Sequence, residues 1–228
     1  MRVWGYFRFS HKRVNMANTS QPLSEVAIAN MGGNLLEERA LTSLDDNTSY
    51  ARFVASEFGF LRDELQRAHP WHFNKELAIL TPLTAEPAFQ WKYKYNLPTD
   101  YLRLEPLRTQ YPNGTKITYQ LMSRKIYTDQ GPTLNLLYHK RITNPALFDP
   151  LFARVLGCTL AVMACHRVTG KANYYDKCQD ALRTAMFNAE HTNALEKGSD
   201  DYVDLGYYGS NTAPMFDVMS SRGRPMGC

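Results

Sequence analysis

Histidines and carboxylates stand close together in one part of the sequence, and these residue types can bind metal or catalyse hydrolysis. His69 and His72 follow a predicted helix, and Asp45 and Asp46 precede it. Two imidazoles and two carboxylates are ligands that zinc accepts. However, Pro70 breaks the helix between the histidines, and the chain completes no metal-binding spacing. We therefore expect no metal site here and place both histidines at a polar margin of the fold.

Cysteines are the second group with chemical potential, at positions 158, 165, 178 and 228, without a CxxC pair. A thiol nucleophile made of Cys165 and His166 would need both side chains to point the same way. Adjacent helical residues point about 100° apart. Cys158 and Cys165 instead share one helix face at heptad spacing. Core packing explains these thiols better than catalysis, and we expect them to be free and buried.

The remaining motifs give no catalytic constellation. Asp200, Asp201 and Asp204 form an acidic cluster, but it lacks the glycine turn and bidentate glutamate of a calcium loop, which favours a solvated linker. The sequence contains no phosphate-binding glycine loop, no GxSxG and no HExxH. We expect a protein without a cofactor and without enzymatic activity.

The net charge is +4 and the pI is near 8.8, which permits contact with nucleic acid but does not identify a polybasic binder. A basic stripe in the middle of the chain would suit DNA passing through a ring, although an ordinary solvated face has the same composition. The candidate DNA-facing residues are Lys92, Lys94, Arg103, Lys116, Arg124 and Lys125.

Four helices must position these groups, and the spacing of apolar residues predicts them at 24–32, 47–69, 150–169 and 172–197. Ser24 is a suitable N-cap for the first, and Gly32 with Gly33 is a natural stop. Pro70 ends the second, and Pro150 suits the first turn of the third. The third helix is expected to be central and buried.

Between these helices the period changes to two, which predicts a small antiparallel β lobe over residues 77–143. Phe89, Trp91, Tyr93 and Tyr95 alternate with polar residues, so one face of a strand is aromatic. Asn113-Gly114 is a hairpin signal. The predicted core anchors of the fold are Trp71, Phe73, Trp91 and Tyr93.

Both ends of the chain look different from the middle. Residues 1–21 form an N-terminal extension without the features of a signal peptide. Residues 198–228 are rich in Gly, Ser, Asp and Tyr, which predicts an extended arm that orders on assembly. Its candidate interface residues are Tyr202, Tyr207, Tyr208, Met215, Phe216, Arg222 and Arg224. The longest apolar run, Val155–Cys165, is too short to cross a bilayer, so we expect no membrane partner.

The predicted fold class is α+β. Residues 22–76 and 144–197 form an antiparallel helix bundle, residues 77–143 are the inserted β lobe, and residues 198–228 are the extended C-terminal arm. A bundle, a lobe and an arm offer binding surfaces at opposite ends of one subunit.

Several ordered motifs resemble the tail tubular protein A family of short-tailed bacteriophages. The resemblance rests on the order and spacing of these motifs and covers about residues 22–197. Residues 1–15 are an addition relative to the family, and Met16 is an alternative start. The matching runs are SLDD (43–46), AR (51–52), LRDEL (61–65), RAHPWHF (67–73), FQWKYKYNLPTDYLR (89–103) and DPLF (149–152).

The resemblance implies a non-enzymatic head-to-tail adaptor in the tail of the virion, assembled in the host cytoplasm. Such subunits form a dodecameric ring below the portal protein after genome packaging and carry the tail nozzle, a tail tubular protein B. The ring gates and conducts DNA, which it contacts without sequence specificity. A closed ring needs heterologous contacts between different faces of one subunit.

Two interpretations from other functional classes remain open. A small hydrolase acting on a cell-envelope polymer would need His69, His72 and nearby carboxylates to converge in one pocket. A monomeric DNA-binding module would use the basic residues of the β lobe and would show salt-sensitive binding without a ring.

Overall fold

The computed structural model describes residues 23–85, 87–111, 113–168, 170 and 172–196. The N-terminal extension and the C-terminal arm lie outside these residues. Four α-helices and two small antiparallel sheets confirm the predicted α+β class. The helices are α1 (Glu25–Leu35), α2 (Ser49–Ala68), α3 (Pro150–Val168) and α4 (Ala172–Leu195). The strands are β1 (Lys75–Leu80), β2 (Tyr93–Asn96), β3 (Tyr101–Leu104), β4 (Tyr119–Met122), β5 (Lys125–Thr128) and β6 (Leu134–Lys140).

Helix α3 is the centre of the bundle, as predicted. It packs against α1, α2 and α4, and Asp149 caps its start by accepting hydrogen bonds from the backbone of Leu151 and Phe152. Helix α3 has 19 residues and is long and apolar enough to cross a membrane. The run Val155–Cys165, on which the sequence-based expectation rested, is only part of this helix. Within the protein, 67% of its apolar window is buried, as in the core helix of a folded domain.

Helix α1 extends past the predicted stop at Gly32 and Gly33 and ends at Leu35. The two glycines serve close packing rather than termination. A Cβ atom on Gly32 would clash with the carbonyl oxygen of Gly157 on α3 and would lie 2.7 Å from the hydroxyl of Tyr50 on α2. Glycine at these positions therefore lets α1 approach α3 at backbone distance.

Helix α2 begins and ends where the sequence predicts, within two residues. The Thr48 hydroxyl accepts a hydrogen bond from the backbone N–H of Ala51 at 3.0 Å and caps the helix. His69 is extended, as expected for a residue before proline. The helix buries Phe53, Val54 and Phe58 among other apolar side chains in the bundle core.

The β lobe consists of two three-stranded antiparallel sheets that begin at Lys75, two residues before the predicted boundary. The first sheet has the strand order β1-β6-β3 and the second has the order β2-β5-β4. Their inner faces share one core, separate from the bundle core. The fully buried members from the two sheets are Tyr95, Ile126, Leu134 and Leu136.

Two details of the predicted lobe are wrong. The aromatic alternation does not form one strand, because Phe89 is 79% exposed, Gln90 has a positive φ and β2 starts only at Tyr93. The tight hairpin lies at Ser123 and Arg124, whose φ angles of 48° and 59° match a type I′ turn between β4 and β5.

The Asn113-Gly114 signal marks a looser reversal of the chain. It lies between Arg108 and Lys116, which form an isolated antiparallel bridge. The backbone N–H of Thr109 donates to the carbonyl of Thr115 at 3.0 Å, so the two segments run side by side without becoming strands.

Candidate functional site at the helix–lobe junction

Buried polar groups concentrate where the bundle meets the β lobe, a region called here the junction. Gln66 on α2 is fully buried. Its side-chain N–H donates to the carbonyl of Ile142 at 2.8 Å, and its oxygen accepts from the Ile142 backbone N–H at 2.9 Å. The amide thus satisfies both backbone groups of a residue that follows β6.

Beside Gln66, the fully buried His139 on β6 is held between two oxygen atoms. Its Nδ1 lies 2.7 Å from Asn74 Oδ1, and its Nε2 lies 2.7 Å from Glu105 Oε1. Burial raises the pKa of the Glu105 carboxyl, but the hydrogen bond and charge of His139, with Lys75 and Arg103 nearby, outweigh burial and hold that pKa below its ordinary value of 4.5.

Two arginines join α2 and β3 in a reciprocal way. Arg67 at the end of α2 donates to the carbonyl of Leu102 at 2.6 Å. Arg103 on β3 donates to the carbonyl of Ala68, the last residue of α2, at 3.2 Å. Each element therefore caps backbone groups of the other, and the helix end is tied to the sheet edge.

An aromatic cluster completes the junction on the bundle side. Trp71 is 2% exposed, and its indole N–H donates to the carbonyl of Leu65 at 2.9 Å. Its ring meets that of Phe152 edge-on at 5.3 Å, and Phe73 packs on Phe152 at 4.9 Å and on Phe148 at 6.2 Å. Trp71 is therefore buried in the bundle core, and the partly buried Phe73 packs against the same core.

The two anchors proposed in the lobe behave differently. Tyr93 packs against the lobe core. Trp91 is half-buried outside that core, and its indole N–H donates to the Gln120 side chain at 3.2 Å. Tyr95, which is fully buried, occupies the central position.

The histidines proposed for hydrolysis sit next to α4. His69 lies 3.7 Å from Glu190 and 3.1 Å from the side-chain nitrogen of Asn193, and the backbone N–H of His72 donates to the Asn193 side chain. Burial raises the pKa of Glu190. The adjoining cavity of about 30 Å³ has the size of one water molecule.

The carboxylates proposed as partners of these histidines are elsewhere. Asp45 and Asp46 precede α2, whose 20 residues span about 30 Å. The backbone N–H groups of Thr42 and Ser43 donate to Asp46 and lower its pKa, so this carboxylate organises its own loop. The structure does not bring the four residues together, and the described residues contain no cluster of three or more potential metal ligands.

The three cysteines within the described residues are free and buried, as predicted. Burial, followed by the neighbouring thiols of Cys165 and Cys158, raises the pKa of Cys178 to about 11. Burial likewise raises the pKa of Cys158. Such thiols are poor nucleophiles and act as packing groups.

The candidate DNA-facing residues divide between two parts of the lobe. Lys94 and Lys125 lie on the outer face of the second sheet, where Lys94 pairs with Tyr127 across the strands. Arg124 is in the adjoining turn, where it donates to the carbonyls of Pro98 and Thr99. This outer face combines basic and aromatic side chains.

The other three candidates differ in setting. Lys92 precedes β2, and its backbone N–H donates to Asp129, which adds a negative charge there. Arg103 belongs to the first sheet and serves the junction, and Lys116 lies at the bridge to Arg108. The six residues therefore do not form one stripe.

The candidate interface residues of the C-terminal arm lie outside the described residues, as does the acidic cluster at 200–204. These candidates are Tyr202, Tyr207, Tyr208, Met215, Phe216, Arg222 and Arg224. Within the described part, the site that sequence reasoning missed is the junction itself. Its members Gln66, Asn74, Glu105 and His139 are isolated polar residues far apart in the chain, and no local pattern links them.

Polar groups at the junction are paired with one another, and the small cavity nearby is lined by Trp71, Phe73 and Asn193, among other residues. No protein-family model matches the sequence, and a search of curated proteins finds no match.

Proposed function

We propose that this chain is a structural subunit of a ring-shaped head-to-tail adaptor of a short-tailed bacteriophage. In this role it binds the portal protein on one side and the tail nozzle on the other. The ring, of about twelve subunits by analogy with its family, gates and conducts DNA. The subunit acts by assembly and not by catalysis.

The observation that carries this proposal is the position of the motifs on which the family resemblance rests. The RAHPWHF run contributes Arg67 and Trp71 to the junction, and the DYLR run contributes Arg103. The DPLF run contributes Phe152, which packs on Trp71. Motifs far apart in sequence thus meet in one region, as expected of residues that maintain a common architecture.

The two separate cores support a role that requires two partners. The bundle and the lobe each bury their own apolar cluster, and the junction holds them together. A force applied to the lobe by a partner is transmitted to the bundle through hydrogen bonds such as those of Gln66. A rigid coupling of this kind suits a subunit placed between two other proteins.

Exposed apolar side chains on different elements support contacts between neighbouring subunits. Phe60 on α2 is 76% exposed and Phe187 on α4 is 69% exposed. The lobe exposes Leu121 and Met122 on β4. Heterologous ring contacts use different faces of the same subunit, and apolar groups on separate elements provide them.

The outer face of the second sheet suits non-specific contact with DNA in the lumen. Lys94 and Lys125 supply positive charge beside the half-buried rings of Trp91 and Tyr127. Basic groups neutralise phosphates without reading sequence. The monomeric DNA-binding module is distinguished from the adaptor by assembly, because the module needs no portal.

The test is the mass of the protein in solution, measured by light scattering, alone and after mixing with the portal protein of the same phage. The adaptor predicts a complex with many copies per portal. A protein that stays monomeric and forms no complex with the portal would overturn the proposal. Salt-sensitive DNA binding by such a monomer would then favour the DNA-binding module.

A further inference from the structure

The outer edge of the first sheet carries an exposed apolar strand. β1 pairs with β6 on one side, and no strand among the described residues pairs with its other side. Leu77 and Ile79 are 69% and 72% exposed, whereas Ala78 and Leu80 turn toward the lobe core. Proteins usually protect such edges with charge, proline or a covering segment, because an open edge invites another strand.

The end of α4 lies next to the start of this strand. The Asn193 side chain accepts from the backbone N–H of His72 at 2.9 Å and donates to the carbonyl of Pro70 at 3.0 Å. His72 begins the short turn that leads into Lys75, the first residue of β1. The chain that follows Leu195 therefore starts close to the beginning of β1.

The sequence beyond α4 has the composition of a strand that would fit this edge. Val203, Leu205 and Tyr207 alternate with Tyr202, Asp204 and Gly206, a period of two. Residues 196–201 can span about 20 Å when extended, which suffices to place the alternating segment alongside β1.

Charge favours the same arrangement. Asp200 and Asp201 precede the alternating segment. In a strand that runs parallel to β1 they would lie near Lys75, the first residue of β1. Opposite charges at the start of the pairing set its direction.

We propose that residues 202–208 add to β1 of the same chain as a further edge strand, parallel to β1, with Val203, Leu205 and Tyr207 covering Leu77 and Ile79. We assign the strand to the same chain because residues 196–201 form a short connection to α4. This connection gives residues 202–208 a high effective concentration at the edge of β1. Residues 209–228 stay available for other proteins. The inference concerns the free subunit and does not depend on binding to a portal.

Hydrogen exchange in the free, full-length protein tests the pairing. Leu205→Pro removes a backbone donor and an apolar side chain from the proposed strand. Ser210→Pro is the matched control outside it. We expect the β1 amides that point away from β6 to exchange about tenfold or more faster in Leu205→Pro than in the unchanged protein or the control. Equal exchange in all three proteins overturns the proposal.

Disulfide trapping identifies the chain that supplies the strand. Ile79→Cys is combined in turn with Val203→Cys, Leu205→Cys or Tyr207→Cys in a Cys228→Ser background. We expect one of these pairs to oxidise within a single chain, which migrates as a monomer on a non-reducing gel. A cross-linked dimer would assign the strand to a second copy, and no cross-link in any pair would mean that the segment is elsewhere; both results contradict the proposal.

Discussion

Gln66 on α2 forms two hydrogen bonds with the backbone of Ile142, one from its side-chain N–H and one to its side-chain oxygen, at 2.8 and 2.9 Å. The two residues are 76 positions apart in the chain. The side chain completes backbone pairing where β6 has ended and no neighbouring strand is available. The last turns of α2 and the chain leaving the lobe are thereby fixed to each other in the buried interior.

Gln66→Ala is expected to lower the free energy of unfolding by about 2–4 kcal/mol, because the N–H and the carbonyl of Ile142 lose their partner while remaining buried. Urea denaturation measures this loss. Gln120→Ala is the matched control, since Gln120 is exposed and its side chain accepts a hydrogen bond from the Trp91 indole at the surface. We expect a change within about 0.5 kcal/mol for the control. Similar losses for both variants would contradict the role assigned to Gln66.

Gly32→Ala is expected to destabilise the protein by about 1–3 kcal/mol, because the added methyl group would collide with Gly157 and with the Tyr50 hydroxyl. Gly59→Ala provides the opposite control. The nearest heavy atom to a Cβ at Gly59 is on Arg62, 4.0 Å away, so alanine there should stabilise α2 by about 0.5–1 kcal/mol. Thermal unfolding followed by circular dichroism compares the two. A neutral Gly32→Ala would show that α1 and α3 do not need the close approach.

Acid should weaken the junction through Glu105. The pKa of this carboxyl is lower in the folded protein than its ordinary value of 4.5. Its contribution to stability is therefore fully present above pH 4.5 and is lost as the pH falls through the lower, folded pKa. We expect the free energy of unfolding, measured in urea from about pH 3 to about pH 7, to fall more steeply below pH 4.5 in the unchanged protein than in Glu105→Gln. Parallel curves for the two proteins would contradict this assignment.

Removing residues 199–228 is expected to leave the bundle and lobe folded, since both cores lie within the described residues. The same deletion should weaken docking to the portal, because it removes residues 209–228, which are available as interface. Circular dichroism measures the first effect, and light scattering with the portal measures the second. Portal binding that is unchanged by the deletion would refute the role of the arm.

Lys94→Glu combined with Lys125→Glu should reduce non-specific DNA binding by the assembled ring. Removing two phosphate contacts is expected to lower the slope of log affinity against log salt by about 2. A control with Arg52→Glu on α2 and Arg183→Glu on α4 makes the same change in net charge away from the outer face of the second sheet. An equal loss of slope in both variants would indicate an effect of net charge alone.

The features that sequence could predict are those set by local periodicity. Helices α2, α3 and α4 have regular apolar spacing and recognisable ends, and β6 alternates from Leu134 to Tyr138. The end of α1 was wrongly predicted because a glycine pair that stops an isolated helix also permits contact with another helix, and only the position of Gly157 distinguishes the two.

The junction escaped prediction for a related reason. Asn74 and His139 are 65 positions apart, and His139 and Glu105 are 34 apart. Each is an ordinary polar residue within its own segment, so their pairing depends on the register of β1, β3 and β6. The tight turn at Ser123 and Arg124 was also missed, because neither position is the glycine or asparagine that usually indicates such a turn.

The central place of α3 also governs the order in which this protein matures. Helices α1 and α2 leave the ribosome roughly a hundred residues before α3 is complete, an interval of about 5–20 s at ordinary translation rates. During that time the faces of α1 and α2 that later bury Gly32 and Phe53 have no helix to pack against. The nascent chain therefore holds exposed apolar helices until residue 168 emerges, and its yield in a cell should depend on chaperones that act during synthesis.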